Sequence, residues 1–81
     1  MKIKVSFLAH YRELAGSSWE MLELEHGTTV GMLLDELCRQ FPRLTEHRDE
    51  ALISVNKKQA LAEKELHTGD EIVLFPPAVG G

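Results

Sequence analysis

Among 81 residues there is one cysteine, Cys38, and the charge balance has no positive surplus. A single thiol cannot close an internal disulfide or build a cysteine-based metal site, and it cannot ligate an iron–sulfur cluster. Nine Lys and Arg stand against thirteen Asp and Glu, for a net charge of −4. Phosphate backbones demand a basic surplus on one face, so nucleic acid is excluded as the main partner, while a protein with a basic docking surface remains allowed. No apolar run approaches the length of a membrane span, and no charged leader with an apolar core precedes the first strand-like residues. The expectation is a cytoplasmic chain with no membrane partner. Nucleotide-binding glycine loops, the P-loop, paired-histidine zinc motifs and the nucleophile elbow are all missing. The four histidines (His10, His26, His47, His67) lie far apart and share no ligand spacing, so no metal site is expected.

The chain is also short. A domain of this length buries only about 60% of the surface its unfolded form exposes, which leaves one thin core and little room for a deep substrate cavity. A carrier, a binding module or a subunit is expected rather than a self-sufficient enzyme. The apolar fraction of 43% and charged fraction of 27% are those of an ordinary folded domain.

Apolar residues are spaced in two distinct periods. Ile3, Val5 and Phe7 alternate with Lys2, Lys4 and Ser6, the pattern of a half-buried strand. A short helical turn follows, closed by Gly16. Trp19 to Leu24 forms a second strand, with Leu22 and Leu24 on one side and Trp19, Met21 and Glu23 on the other. Val30, Leu33, Leu34, Leu37, Cys38 and Phe41 then recur at helical spacing over about three turns. Thr28 or Thr29 caps this helix and Pro42 ends it at Phe41. Cys38 falls on the apolar stripe, where a free cysteine acts as a small hydrophobe. Residues 43 to 50 read as a polar loop. Ala51 to Asn56 is a short strand, followed by a turn and a brief extended piece to Leu61. After a His67-Thr68-Gly69-Asp70 turn, Glu71 to Phe75 is apolar enough to predict a central strand buried on both faces. The expected fold is α+β, a mixed sheet of about five strands crossed by one main helix, with a short helical turn. That is the ubiquitin-like β-grasp arrangement. Residues 1–75 would form the domain and 76–81 a tail leaving the middle of the sheet.

The chemistry points to that tail, Pro76-Pro77-Ala78-Val79-Gly80-Gly81. Two prolines hold the exit extended. Two glycines admit close approach by another backbone, which suits insertion into a narrow channel with a free carboxylate at the tip. A frayed terminus is the plain alternative. The conjunction of strand end, Pro-Pro stiffener and Gly-Gly favours the functional reading.

Ser54-Val55-Asn56, Thr68-Gly69-Asp70-Glu71 and Phe75-Pro76-Pro77-Ala78-Val79-Gly80-Gly81, with Phe7-Leu8-Ala9 and Arg12-Glu13-Leu14-Ala15-Gly16, resemble the MoaD/ThiS family of sulfur carriers, most closely the molybdopterin synthase small-subunit branch. The resemblance covers essentially the whole chain. Gly-Gly is shared with all ubiquitin-like modifiers, whereas Phe-Pro-Pro before it leans toward the molybdopterin branch. The resemblance implies that Gly81 is adenylated by an E1-like activating enzyme using ATP and Mg²⁺, with no cofactor bound by the chain itself. A sulfur donor protein would then convert the adenylate to a thiocarboxylate. The tail would enter a pocket of a large synthase subunit, in a heterotetramer, and pass sulfur to a cyclic pyranopterin precursor to build a dithiolene. Phe75 and Phe7, with Arg12, are the expected partner-binding residues. Core and interface both remain open for Phe7, and a solvated arginine is the plain reading of Arg12. Sulfur delivery to another product (thiamine, cysteine or thiolated tRNA) or ligation to other proteins would use the same tail.

Overall fold

The computed structural model describes residues 1–77. Five strands form one sheet, with β1 at Lys2–Phe7, β2 at Trp19–Glu23, β3 at Leu52–Val55, β4 at Lys58–Ala60 and β5 at Glu71–Phe75. A short helix, α1, spans His10–Ala15 and the main helix, α2, spans Val30–Gln40. The strand order is β2-β1-β5-β3-β4. β5 runs parallel to β1, in the register Val5 to Ile72 and Phe7 to Leu74, and antiparallel to β3, with Leu52 opposite Phe75. β1–β2 and β3–β4 are antiparallel pairs. This is the β-grasp fold.

One face of the sheet is covered. Ile3, Val5 and Phe7 of β1, Leu22 of β2, Ile53 and Val55 of β3, and Ile72 and Leu74 of β5 are buried there with Val30, Leu33 and Leu37 of α2. The helical stripe is thus where its spacing predicts it, and Leu34, Cys38 and Phe41 flank it half-buried. Thr29 is the residue that caps α2, its hydroxyl accepting the Met32 N–H at 3.3 Å. Thr28 instead turns inward and donates to the Glu25 carbonyl at 2.7 Å. Gly16 closes α1 in the left-handed region (φ 80°), its N–H donating to the Arg12 carbonyl.

Two sequence expectations change. Residues 43 to 50 are not a plain loop: Pro42–His47 forms a 3-10 helix. Pro42 supplies the fixed φ suited to a helix start, and Leu44, the one aliphatic residue in a polar stretch, is buried beneath it. The last strand is central as expected, yet it is buried on one face only. Ile72 and Leu74 are enclosed, whereas Val73 and Phe75 are half-buried and Glu71 is exposed. No helix among the described residues lies on the second face.

Candidate functional site

β5 carries the chain to the tail. Its start is clamped by a two-residue β3–β4 turn at Asn56 and Lys57, both in the left-handed region (φ 53° and 72°). The Asn56 side chain accepts the Glu71 N–H at 2.9 Å and donates to the Asp70 carboxylate at 2.9 Å. Asp70 also accepts the His67 N–H at 2.7 Å. Partial desolvation pushes the Asp70 carboxyl up, but the His67 N–H, the Asn56 amide and the nearby His67 and Lys64 charges together outweigh it and hold it below its ordinary value. The Gly-Asp-Glu sequence ahead of β5 therefore acts as a buckle that fixes the register of the last strand.

The other end of β5 is equally well held. Leu8 N–H donates to the Leu74 carbonyl at 3.0 Å, which extends the parallel pairing to the point of exit, and Leu52 pairs with Phe75 on the opposite side. Pro76 is half-buried and Pro77 exposed. Ala78, Val79, Gly80 and Gly81, the insertion and carboxylate residues expected from the sequence, lie outside the described residues.

The uncovered sheet face beside this exit is apolar. Leu8, Trp19 and Met21 are about half exposed (44%, 50% and 51%). By strand alternation Val73 and Phe75 of β5 and Leu52 of β3 share that face. Register places Leu8, Phe75 and Leu52 together nearest the exit. Trp19, Ser6, Val73 and Ser54 form the next row, in which the serines leave the larger side chains standing proud. Lys4 reaches over the Trp19 ring, its ammonium 4.7 Å from the centroid. Phe75, expected to bind a partner, is therefore on the open face. Phe7 is not. It is 1% exposed, points into the core and meets Phe41 edge-on at 5.9 Å between ring centres, so it leaves the partner-binding set. Its parity with Ile3 and Val5 placed it there. Sequence reasoning did not single out Leu8, Leu52, Trp19, Met21 or Val73 as surface. The signal was available in the opposite parity of Trp19 and Met21 to Leu22.

Arg12 is exposed on α1, beside a cleft lined by Glu13, Gly16, Ser17 and Ser18, and it makes no ion pair among the described residues. Another cleft, lined by Val55, Asn56, Lys58, Gln59, Ala60, Leu61 and Lys64, sits at the far end of the sheet from Phe75. Neither cleft gathers a nucleophile and a base near the exit.

Comparison with known proteins now gives the family. The model described as the ThiS family matches residues 5–81. The chain belongs to the ThiS family. It is 33% identical over 82 residues to the molybdopterin synthase sulfur carrier subunit of Mycobacterium tuberculosis, covering 100% of this chain and 99% of that protein. A molybdopterin converting factor subunit 1 from Pyrococcus furiosus, so named provisionally, superposes with a TM-score of 0.89 at 30% identity, covering 96% of this chain and 99% of that one. The small archaeal modifier protein 1 of Haloferax volcanii superposes with a TM-score of 0.86 at 27% identity, over 95% of this chain and 98% of that one.

The fold also brings together groups that the sequence keeps apart. His10 opens α1 and His47 ends the 3-10 helix, yet their rings lie 5.3 Å apart, with Glu50 beside both. The histidines are thus not all isolated, contrary to their sequence spacing. Tyr11, buried between these elements, donates its hydroxyl to the His47 carbonyl at 3.0 Å. Burial, and then the Glu50 charge, push the Tyr11 phenol up from its ordinary value, so it remains a donor at neutral pH. Cys38 is free and half-buried.

Proposed function

We propose that this chain is the sulfur carrier subunit of a molybdopterin synthase, acting in the cytoplasm. The observation that carries the reading is the path of β5. A central strand, hydrogen-bonded on both sides, runs straight into Pro76-Pro77 at the edge of an apolar open face, with Gly80-Gly81 beyond.

The chemistry follows from the carboxylate. Its charge and resonance resist nucleophilic attack, so it must first be activated. A carboxylate oxygen of Gly81 attacks the α-phosphorus of ATP on an adenylating partner, with Mg²⁺ offsetting phosphate charge, and pyrophosphate leaves. Sulfur at the sulfide level, from a donor protein, then displaces AMP and leaves a thiocarboxylate. Sulfur is stored in this way as a tethered, mild nucleophile. The tail delivers it into a large synthase subunit, where it attacks the pyranopterin precursor, and water then cleaves the acyl–sulfur bond, leaving sulfur on the precursor and returning Gly81 as a carboxylate. Acid, base and phosphate-binding groups for that step come from the large subunit. The open face of Leu8, Trp19, Val73 and Phe75 seats the partner, since aromatic side chains are enriched at interface centres.

The test is a transfer assay. Gly81 is loaded as a thiocarboxylate and mixed with a molybdopterin synthase large subunit and the cyclic pyranopterin precursor. Dithiolene product is expected, and removal of Gly81 abolishes it while circular dichroism stays unchanged. Confirmed loading without product would reject the molybdopterin acceptor. A truncated chain that still accepts AMP and sulfur would reject the tail chemistry altogether. The likeness to a small archaeal modifier protein favours one second reading, ligation of Gly81 to protein amines. High-mass conjugates in cell extract, absent when Gly81 is removed, would mark it.

A further inference from the structure

The His10, His47 and Glu50 cluster is unused by the tail chemistry. Each residue offers one ligand atom, and the three atoms lie within 4.8 Å of one another. Glu50 Oε1 is 2.7 Å from His47 Nδ1 and 4.0 Å from His10 Nε2. Ligands of tetrahedral zinc, each about 2.0–2.1 Å from the metal, stand about 3.4 Å apart. These two distances bracket that spacing while the set as a whole spans up to 4.8 Å, and solvent reaches all three side chains (40%, 37% and 51% exposed), so rotamer adjustments of about 1.4 Å or less close the set.

We infer that His10, His47 and Glu50 form a site for a first-row transition-metal ion, zinc being the fitting case. Two imidazoles with one carboxylate favour zinc, cobalt, nickel or copper over magnesium and calcium, which take oxygen ligands. Three protein ligands leave a fourth position for water. A local pairing alone accounts for His47 and Glu50, three residues apart on one turn. It does not account for His10, which arrives from α1. The anchor beneath is built: Tyr11 follows His10, is buried, and holds the His47 backbone carbonyl. The bound ion would clip α1 to the 3-10 helix. His10 lies three residues beyond the end of β1 and Glu50 two residues before Leu52, the partner of Phe75, so the clip sits at the end of the sheet from which the tail leaves.

The experiment uses the untagged full chain and zinc chloride, read by titration calorimetry and by histidine ring resonances in NMR. It needs no sulfur transfer, so its outcome is independent of the carrier reading. One zinc per chain is expected, with Kd below about 100 µM. Shifts should be confined to His10 and His47, and Tm should rise by about 7 °C when free zinc is about ten times Kd. His10→Ala and His47→Ala should each weaken binding about 10-fold or more, while His26→Ala leaves it unchanged. His47→Ala keeps the backbone carbonyl that Tyr11 uses, so its fold is preserved. Absence of saturable binding, binding unchanged in the His10→Ala/His47→Ala double variant, or equal weakening by His26→Ala would each overturn the site.

Discussion

Replacing Asp70 with alanine tests whether the buckle ahead of β5 sets the last strand. The change removes two hydrogen bonds to one carboxylate, from the His67 N–H at 2.7 Å and the Asn56 amide at 2.9 Å. Bonds to a charged acceptor contribute about 1.5–3 kcal/mol each when well shielded. Asp70 is half-exposed and water re-solvates the freed donors, so both fall at or below the low end of that range. A loss of about 2 kcal/mol is expected, or about 10 °C in Tm for a domain of this size. Asp70→Asn keeps one acceptor oxygen and should lose about half as much.

The pH dependence separates this account from a general loosening of the turn. The Asp70 carboxyl titrates below its ordinary value in the folded chain. A depressed carboxylate stabilises the fold fully above its unfolded pKa of about 3.9, and the contribution is lost as pH falls through the lower, folded value. The gap between the native chain and Asp70→Ala should therefore be full at pH 7 and closing at about pH 3. Urea unfolding followed by far-ultraviolet circular dichroism at both pH values measures it. A gap under about 0.5 kcal/mol at pH 7, which is within ordinary surface noise, or one of equal size at both pH values, would refute the buckle.

The two phenylalanines should behave in opposite ways. Phe7→Ala is expected to cost about 3–5 kcal/mol of stability, as a large core truncation. Phe75→Ala should unfold at nearly the native urea midpoint, yet weaken binding to a molybdopterin synthase large subunit about 10-fold or more in calorimetry. Tyr11→Phe removes the hydroxyl bond to the His47 carbonyl while keeping the ring, and should lower stability by about 1 kcal/mol in the same urea assay.

Most of the fold is legible in the sequence because each element obeys a single period. Ile3, Val5 and Phe7 alternate cleanly, and Val30 to Leu37 repeat at helical spacing, since both elements cover one face of a single core. What escapes is decided by partners distant in sequence. β5 reads as a strand buried on both faces because Ile72, Val73, Leu74 and Phe75 are consecutive apolar residues. Composition cannot tell a face covered by a helix of the same chain from a face awaiting another protein. The 3-10 helix escapes for a different reason: Leu44 is a lone apolar residue, and one residue has no period. The meeting of His10 with His47 depends on α1 docking against that 3-10 helix, which neither segment encodes by itself. At the candidate site, the place of Phe75 at the end of the last strand was readable from order along the chain, whereas Trp19 and Met21 needed the β1–β2 register to join it.

A carrier whose chemistry lies at its tip still places demands on its fold. The tip must leave from a fixed point and in a fixed direction, because an active site supplied by another protein tolerates little misplacement. An edge strand meets this poorly, since it is held on one side and opens easily. β5 lies in the middle of the sheet, paired with β1 and β3 up to Leu74 and Phe75, and its start is buckled by Asp70 and Asn56. Opening it would require breaking ladders on both sides. The single main helix then has a second consequence. It covers one face only, which leaves Leu8, Trp19, Met21, Val73 and Phe75 facing outward around the same exit. On the proposed reading, a partner that covers this apolar face is thereby brought beside Pro76, so one architectural choice would supply both a docking surface and a fixed point of exit for the chain.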